Sequence, residues 1–325
     1  IRDREPPASQ CPGLPEPHRC VRIAFQGACH HHRDNIPPAP VDETCESLSG
    51  LKHSLRRKMK IHHLRSATFI IESGADSILI DPMLSNQGEL PPFAYFRHKS
   101  VRNPTVALPG NASRLLGKVT HCLITHSQTF GIRALQHTDH LDKPGETFLR
   151  NNNIPVTCRK QDAAYLENYG INVVKALSYW QPERSLDGEI TAIPARHGYG
   201  WIHRFMANGA GFYLQLPEEP SIYISGDTVY TRDVERVLSQ FRPDIAVMAA
   251  GSASMDIGKP ILMTMEDMVA FVKTAPNKVV ANHLEALNHC PVTRSHLRQT
   301  LDDHGLLPKT FIPDDGDSIT IETES

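Results

Sequence analysis

Seven side chains of two kinds, imidazole and carboxylate, stand where a chain would place them to hold metal: His126, His137, Asp139, His140, His197, Asp227 and His283. Four follow directly on β-rich runs. Val119 to Thr125 leads into His126, a run ending near Pro194 into His197, Ser221 to Ser225 into Gly226-Asp227, and Lys278 to Asn282 into His283. Loops after strand ends converge on one edge of an αβ fold, so residues distant in sequence meet there. Imidazole and carboxylate are the ligands of hydrolytic zinc, and a catalytic site leaves coordination positions open for water. Seven such groups suffice for two divalent ions, zinc or manganese, sharing one bridging carboxylate. Such a pair lowers the pKa of a shared water and polarises a scissile carbonyl or phosphoryl oxygen. Asp139, Asp227 and His283 are the catalytic candidates, Asp139 as the group that returns a proton to the leaving group.

The elements that must position them alternate strand and helix. Lys60 to Glu72, a Ser-Gly turn and Ser77 to Ile80 read as a β-hairpin. Gln161 to Asn168 reads as a helix closed by Gly170, Asp244 to Ala250 as a strand, Thr264 to Lys273 as a capped helix, and Thr293 to His304 as a helix stopped by Gly305. Alternation of this kind means layered α/β architecture. Residues 1–58 differ, with eight of the 25 prolines and little periodic apolar pattern. A composition of that kind favours disorder. Met59 reads as the start of the folded part, 59–325 as one domain, and 1–58 as an extension.

With 34 basic and 36 acidic residues the formal charge is -2, which favours a small-molecule substrate over nucleic acid. No apolar run could span a bilayer and no leader is visible, so the expectation is a soluble, cytoplasmic protein, with homo-oligomerisation left open. Cys122, Cys158 and Cys290 read as reduced thiols. His30-His31-His32 with Cys11, Cys20 and Cys29 matches no compact ligand spacing.

From about Met59 to Ile321 the chain resembles a metallo-β-lactamase-fold hydrolase, nearest to the group containing L-ascorbate-6-phosphate lactonase. The resemblance rests on His63-Leu64-Arg65-Ser66-Ala67-Thr68 with Ile80-Asp81-Pro82, on Thr125-His126 to His140-Leu141-Asp142, on Ala195-Arg196-His197-Gly198, on Ser225-Gly226-Asp227-Thr228, and on Asn282-His283 with Glu285 to His289. It implies an αββα four-layer sandwich. It also implies one metal on His126, His137 and His197, a second on Asp139, His140 and His283, Asp227 as the bridge, and Asp81 orienting a ligand from beneath. The family's compact His-x-His-x-Asp-His run is interrupted here by Ser127 to Gln136, which must loop out if His126 is to reach the metal.

That excursion is expected to bring Phe130 or Arg133 to the substrate pocket, with Tyr199, Trp201, His203 and Arg204 forming a further wall and Tyr95 to His98 the opposite one. His289, close behind His283, is a candidate supporting residue. The reaction class is hydrolysis of a lactone, ester or phosphoester. The alternatives are a phosphodiesterase or nuclease of the same fold, and a metal-poor relative that only binds. A chain beginning at Met59 is expected to fold and hold metal as the full chain does, checked by thermal melting and elemental analysis; aggregation of the shortened chain would refute the boundary.

Overall fold

The computed structural model describes residues 57–206 and 208–323. The expectations for the Pro-rich stretch, its four cysteines and its histidine run lie outside the described residues. The chain opens on β1 (Arg57–Arg65), β2 (Thr68–Ser73) and β3 (Asp76–Ile80), then passes through α1 (Ala112–Leu116) to β4 (His121–Ile124). β5 (Gln128–Thr129), β6 (Ile132–Gln136), α2 (Lys143–Asn151), β7 (Val156–Arg159), α3 (Lys160–Asn168) and β8 (Val173–Leu177) complete the first half. The second half holds β9 (Pro182–Ser185), β10 (Gly188–Pro194), β11 (Ala210–Gln215), β12 (Ile222–Ile224), α4 (Arg232–Arg236), β13 (Ile245–Ala249), α5 (Met265–Thr274), β14 (Lys278–Asn282), α6 (Arg294–Asp303), β15 (Thr310–Phe311) and β16 (Ser318–Thr323). The run from Met59 to Glu72 is thus two strands and not one arm of a hairpin. Ser66, at φ 54°, turns the chain within it.

Two seven-stranded sheets result, ordered β16-β1-β2-β3-β4-β7-β8 and β15-β14-β13-β12-β11-β10-β9. The period-2 alternation of β3 shows how they stack: Ile78 and Ile80 face inward, into a cluster with Phe69 and Leu123 and with Phe212, Ile224 and Val247 of the second sheet. Leu79 faces outward, with Cys122 and Ile124, onto Leu115, Leu149 and Leu166 of α1, α2 and α3. On the other side, Tyr223, Met248 and Val279 meet Val234, Phe271 and Leu297 of α4, α5 and α6. Helices therefore cover both outer faces, and the architecture is the αββα sandwich of the metallo-β-lactamase fold. Among the described residues no helix is long and apolar enough to cross a membrane, and Cys122, Cys158 and Cys290 are free and buried.

Strand direction then places the chemistry. β3, β4, β7 and β8 are parallel, as are β12, β13 and β14. β10 is antiparallel to β11, itself antiparallel to β12, so β10 ends at the same edge as β12. The two sheets are joined there by main-chain bonds: Ala210 N–H donates to Thr125 O at 2.9 Å, and His283 N–H to Ser66 O at 2.9 Å. At Gly209 a Cβ would lie 3.0 Å from both Thr125 O and His126 Cβ, so a side chain there would crowd this junction.

α2 follows the His137-Thr138-Asp139-His140 run and is anchored by Asp142. Its carboxylate accepts from Gly145 N at 2.8 Å as N-cap and from Ser85 N at 2.6 Å. Asp142→Ala removes the cap and leaves buried donors unpaired, and is expected to destabilise the protein by about 2–4 kcal/mol. Denaturant titration checks this; a loss of under about 1 kcal/mol would refute it.

Candidate metal centre

The seven predicted side chains come together at the shared edge. Ligand atoms of His126, His137 and His197 lie within 4.8 Å of one another, and those of Asp139, His140, Asp227 and His283 form a second group on the same criterion. The rings pack closely, His126 to His140 at 4.1 Å between centroids and His126 to His137 at 4.6 Å. Asp227 Oδ2 stands 3.1 Å from His140 Nε2 and 3.6 Å from the Nε2 atoms of both His197 and His283, so one carboxylate oxygen touches both groups. Gly226, at φ 59°, makes the turn that aims Asp227; a Cβ there would meet Ala210 O at 2.8 Å.

The ten-residue spacer folds back on itself as the β5–β6 hairpin. Phe130 at φ 56° and Gly131 at φ 71° form its two-residue turn, the doubly positive combination that suits a tight hairpin. His137 N–H donates to Ser127 O at 3.0 Å, closing the base of the hairpin so that His126 and His137 emerge side by side. Gln128 turns away, its amide donating to Asp162 Oδ1 at 3.0 Å.

The hydrogen-bond network assigns the imidazole tautomers. His140 Nδ1 donates to Asp81 Oδ2 at 2.8 Å, and His197 Nδ1 to Ile261 O at 2.9 Å. Asp81 also accepts from Thr125 N at 2.8 Å and from Thr125 Oγ1 at 2.6 Å, leaving that hydroxyl oxygen to accept from His126 Nδ1 at 3.1 Å. The Nε2 nitrogens of His126 and His197 are thereby left with bare lone pairs, while His140 can take a second proton on Nε2. The Nε2 atoms of His126 and His283, and Asp227 Oδ1, are buried without a hydrogen-bond partner. Groups buried in that state are costly unless something binds them. Bare imidazole nitrogens facing a carboxylate are a donor set that fits a divalent cation.

Electrostatics point the same way. Burial, reinforced by neighbouring imidazoles, holds His126 well below the usual histidine range, and burial takes His137 down to about 3. Burial also pulls on His140, but the carboxylates of Asp227, Asp81 and Asp139 outweigh it and raise that ring well above its ordinary value. Asp227 is opposed by burial too, yet the imidazoles around it, His140 first, hold it well below the carboxylate range. Three buried carboxylates thus attract one positive charge, which a proton on His140 supplies when no cation does.

Over the centre opens a cavity of about 320 Å³ lined by Pro92, Phe93, Thr129, Gln136, His137, Thr138, Asp139, His197, Phe205, Met206, Met255, Ile261 and His289. None of the six side chains expected to bind substrate is in that lining. Arg133 is drawn to the Glu146 carboxylate and lies 4.4 Å from the centroid of the Tyr169 ring. Phe130 and Arg204 border a separate open cleft beside the hairpin tip. Trp201 stands edge-on behind Phe205, its neighbour on the loop, and His203 Nδ1 meets Asn208 Nδ2 at 3.5 Å. Tyr199 binds Pro260 O through its main-chain N–H. The charged members of these loops meet ion pairs or solvent. Thr129, Gln136, Phe205 and Met206 line the cavity instead, the Gln136 amide being held by Leu141 O and Glu146.

The wall carrying Pro92 and Phe93 is tied down by two side chains. Asn288 Oδ1 accepts from Phe93 N at 2.9 Å, and Asp256 takes the main-chain N–H groups of Tyr95, Phe96 and Arg97 at 2.8–3.0 Å.

Residues 76–283 match the model of the beta-lactamase superfamily domain. The chain belongs to that superfamily. It is 30% identical to the isothiocyanate hydrolase from Delia radicum gut bacteria, superposing with a TM-score of 0.71 over 82% of this chain and 100% of that one. The UPF0173 protein YddR of Bacillus subtilis is 27% identical over 266 residues, 81% of this chain and all of the relative. A UPF0173 metal-dependent hydrolase of Ruegeria pomeroyi is 25% identical over 205 residues, 59% of this chain and 74% of the relative. The chain therefore has the metallo-β-lactamase fold and is similar to UPF0173 proteins, metal-dependent hydrolases among them.

Membership in this superfamily and the raised His140 together generate a pH dependence. The ring must shed its Nε2 proton to coordinate, so a divalent ion added to metal-free protein is expected to release about one proton per chain. Because the pKa of His140 is raised, that competition weakens affinity as pH falls through and below it, by up to about tenfold per unit. Calorimetry in buffers of different ionisation enthalpy measures both; proton-independent binding across pH 6–8 would refute the account. Asp81→Ala, which frees His140 Nδ1, is expected to lower metal affinity about 10–100-fold.

Proposed function

We propose that the protein hydrolyses a small, uncharged electrophile carrying an apolar group, with an isothiocyanate as the best-supported example and neutral esters or lactones next. The observation that carries this is the wall of the cavity: Phe93, Phe205, Met206, Met255 and Ile261 surround the approach to the metal centre, and among the described residues no lysine or arginine lines it. A phosphoester, or a lactone bearing phosphate, brings charge that an apolar wall without a cation would leave unpaired. Isothiocyanates are neutral, and their sulfur suits thioether and aromatic contacts such as Met206 and Met255 offer. The 30% identical neighbour with that activity supports the same class.

In this reading His126, His137 and His197 would hold one divalent cation and Asp139, His140 and His283 a second, with Asp227 within reach of both sets. Zinc suits the donor set, with manganese as the alternative. When bound, such ions make a water nucleophilic near neutral pH and polarise the group it attacks. The chain does the remainder. The Asp81–His140 and His197–Ile261 bonds fix the rings, the apolar wall excludes bulk water, and Asp139, at the cavity floor, is placed to take and return a proton.

Protein purified without chelator is expected to hold close to two divalent ions per chain, and Asp227→Ala to lower that number. Metal-loaded protein is expected to hydrolyse benzyl isothiocyanate with kcat/KM at least about 100-fold above that for bis(p-nitrophenyl) phosphate, a difference of about 2.7 kcal/mol in transition-state binding. A preference for the phosphodiester would overturn the substrate class. A protein that stays metal-free in added zinc or manganese would favour the metal-poor relative that only binds.

A further inference from the structure

One cavity side chain has chemistry that the metal centre does not use. His289 is 3% exposed and lines the cavity beside His137, Asp139 and His197. Phe93 meets its ring edge-on, with centroids 5.2 Å apart and planes at 85°, while Ser254 N–H donates to its main-chain oxygen at 3.0 Å. The ring is held by packing. Its one hydrogen-bonding contact among the described residues is Nδ1 to Cys290 Sγ at 4.0 Å, which leaves Nε2 without a protein partner at the cavity wall. A histidine serving only the packing of a core has both nitrogens satisfied; this one does not.

Its tautomer follows from the neighbours. Cys290 Sγ also lies 3.6 Å from Nδ1 of His283, whose Nε2 is bare. His283 Nδ1 therefore carries a proton and donates it to the sulfur, while the buried thiol keeps its own proton. The S–H is left to face Nδ1 of His289. The ring proton of His289 then sits on Nε2, on the cavity side. Burial takes this imidazole down to about 4, so at neutral pH it is an uncharged donor.

We infer that His289 is a catalytic residue whose Nε2–H donates a hydrogen bond to the substrate atom that gains electron density as water adds. The inference rests on the reading of the site as one for neutral electrophiles. For R–N=C=S the addition of water gives R–NH–C(=O)–SH. Two bonds form from the water oxygen to carbon as its two O–H bonds break, the C=N and C=S π pairs become the new N–H and S–H bonds, and both protons come from water. His289 keeps its own proton and stabilises the nitrogen while its charge develops. A preorganised donor of this kind acts most strongly in the transition state, in a pocket from which water is excluded.

The test compares metal-loaded wild type, His289→Phe and His289→Gln on benzyl isothiocyanate, with metal content measured on each. His289→Phe is expected to lower kcat about 100–1000-fold with KM changed by less than about threefold and metal content unchanged. His289→Gln retains an N–H and is expected to recover at least about tenfold of that loss. Nitrogen-15 NMR of histidine-labelled wild type should show the His289 ring protonated on Nε2, a signal absent from His289→Phe. A His289→Phe enzyme within threefold of wild-type kcat would overturn the inference, as would an Nδ1–H tautomer or loss of metal from both variants. Wild type that is inactive on isothiocyanate but carries the Nε2–H tautomer would instead defeat the substrate reading, and leave the donor to be tried on a neutral ester.

Discussion

The structure depends on burying carboxylates together. Asp81, Asp139 and Asp227 lie at 2%, 7% and 2% exposure in the cleft where the two sheets meet, in contact with the imidazoles of His140, His197 and His283. Charge in such a place is unstable unless it is paired and hydrogen-bonded, and breaking a buried pair costs several kcal/mol. The site answers by sharing. Each Asp81 oxygen accepts at least one hydrogen bond, and Asp227 sets one oxygen among three Nε2 atoms and leaves the other bare. A protonated His140 balances part of the charge, and a divalent cation would balance more of it while satisfying the lone pairs that protons leave unused.

Much of the surrounding architecture is explained by that requirement. The groups come from both sheets, so the sheets must be locked together at this edge. The bonds from Ala210 to Thr125 and from His283 to Ser66 do so in main chain, where no side-chain mobility enters. Non-glycine residues at positive φ mark the same region: Ser66 at 54°, Asp81 at 45° and His283 at 60°. Such conformations cost of order 1–3 kcal/mol each and persist where the surroundings over-determine them. Here each lies at the end or turn of a strand that the core holds on both faces.

The cavity is built from the same parts. Residues 283–290 supply the metal-centre imidazole His283, the clamp Asn288 and the cavity ring His289 within one turn-rich segment. Asn288 reaches across to the loop bearing Phe93, whose ring in turn meets His289. Substrate wall and metal centre are thus coupled through a few bonds, and an alteration of the wall loop is felt at the site floor.

The sequence by itself determined the layered α/β architecture and which imidazoles and carboxylates gather at the shared edge, because both are written in local signals. β12, β13, β14, α5 and α6 lie within one residue of where periodicity and caps set them, Thr264 and Thr293 capping α5 and α6 through their hydroxyls. His126, His197, Asp227 and His283 were legible because each stands directly past a strand. The turn at Ser66 was not, since a continuous strand-like run hides a tight turn that is closed by the antiparallel pairing of β1 with β2. Only the tertiary structure decided that the spacer after His126 becomes a hairpin, since its closure depends on pairing Gln128 with Gln136 and on the cleft it must leave open. The same holds for the substrate wall. Arg133 is the lining that the sequence suggests, but the buried Glu146 draws it away, and Phe205, which no sequence signal marks, lines the cavity instead. Side-chain direction at a pocket depends on partners remote in sequence, and a local pattern carries no information about them.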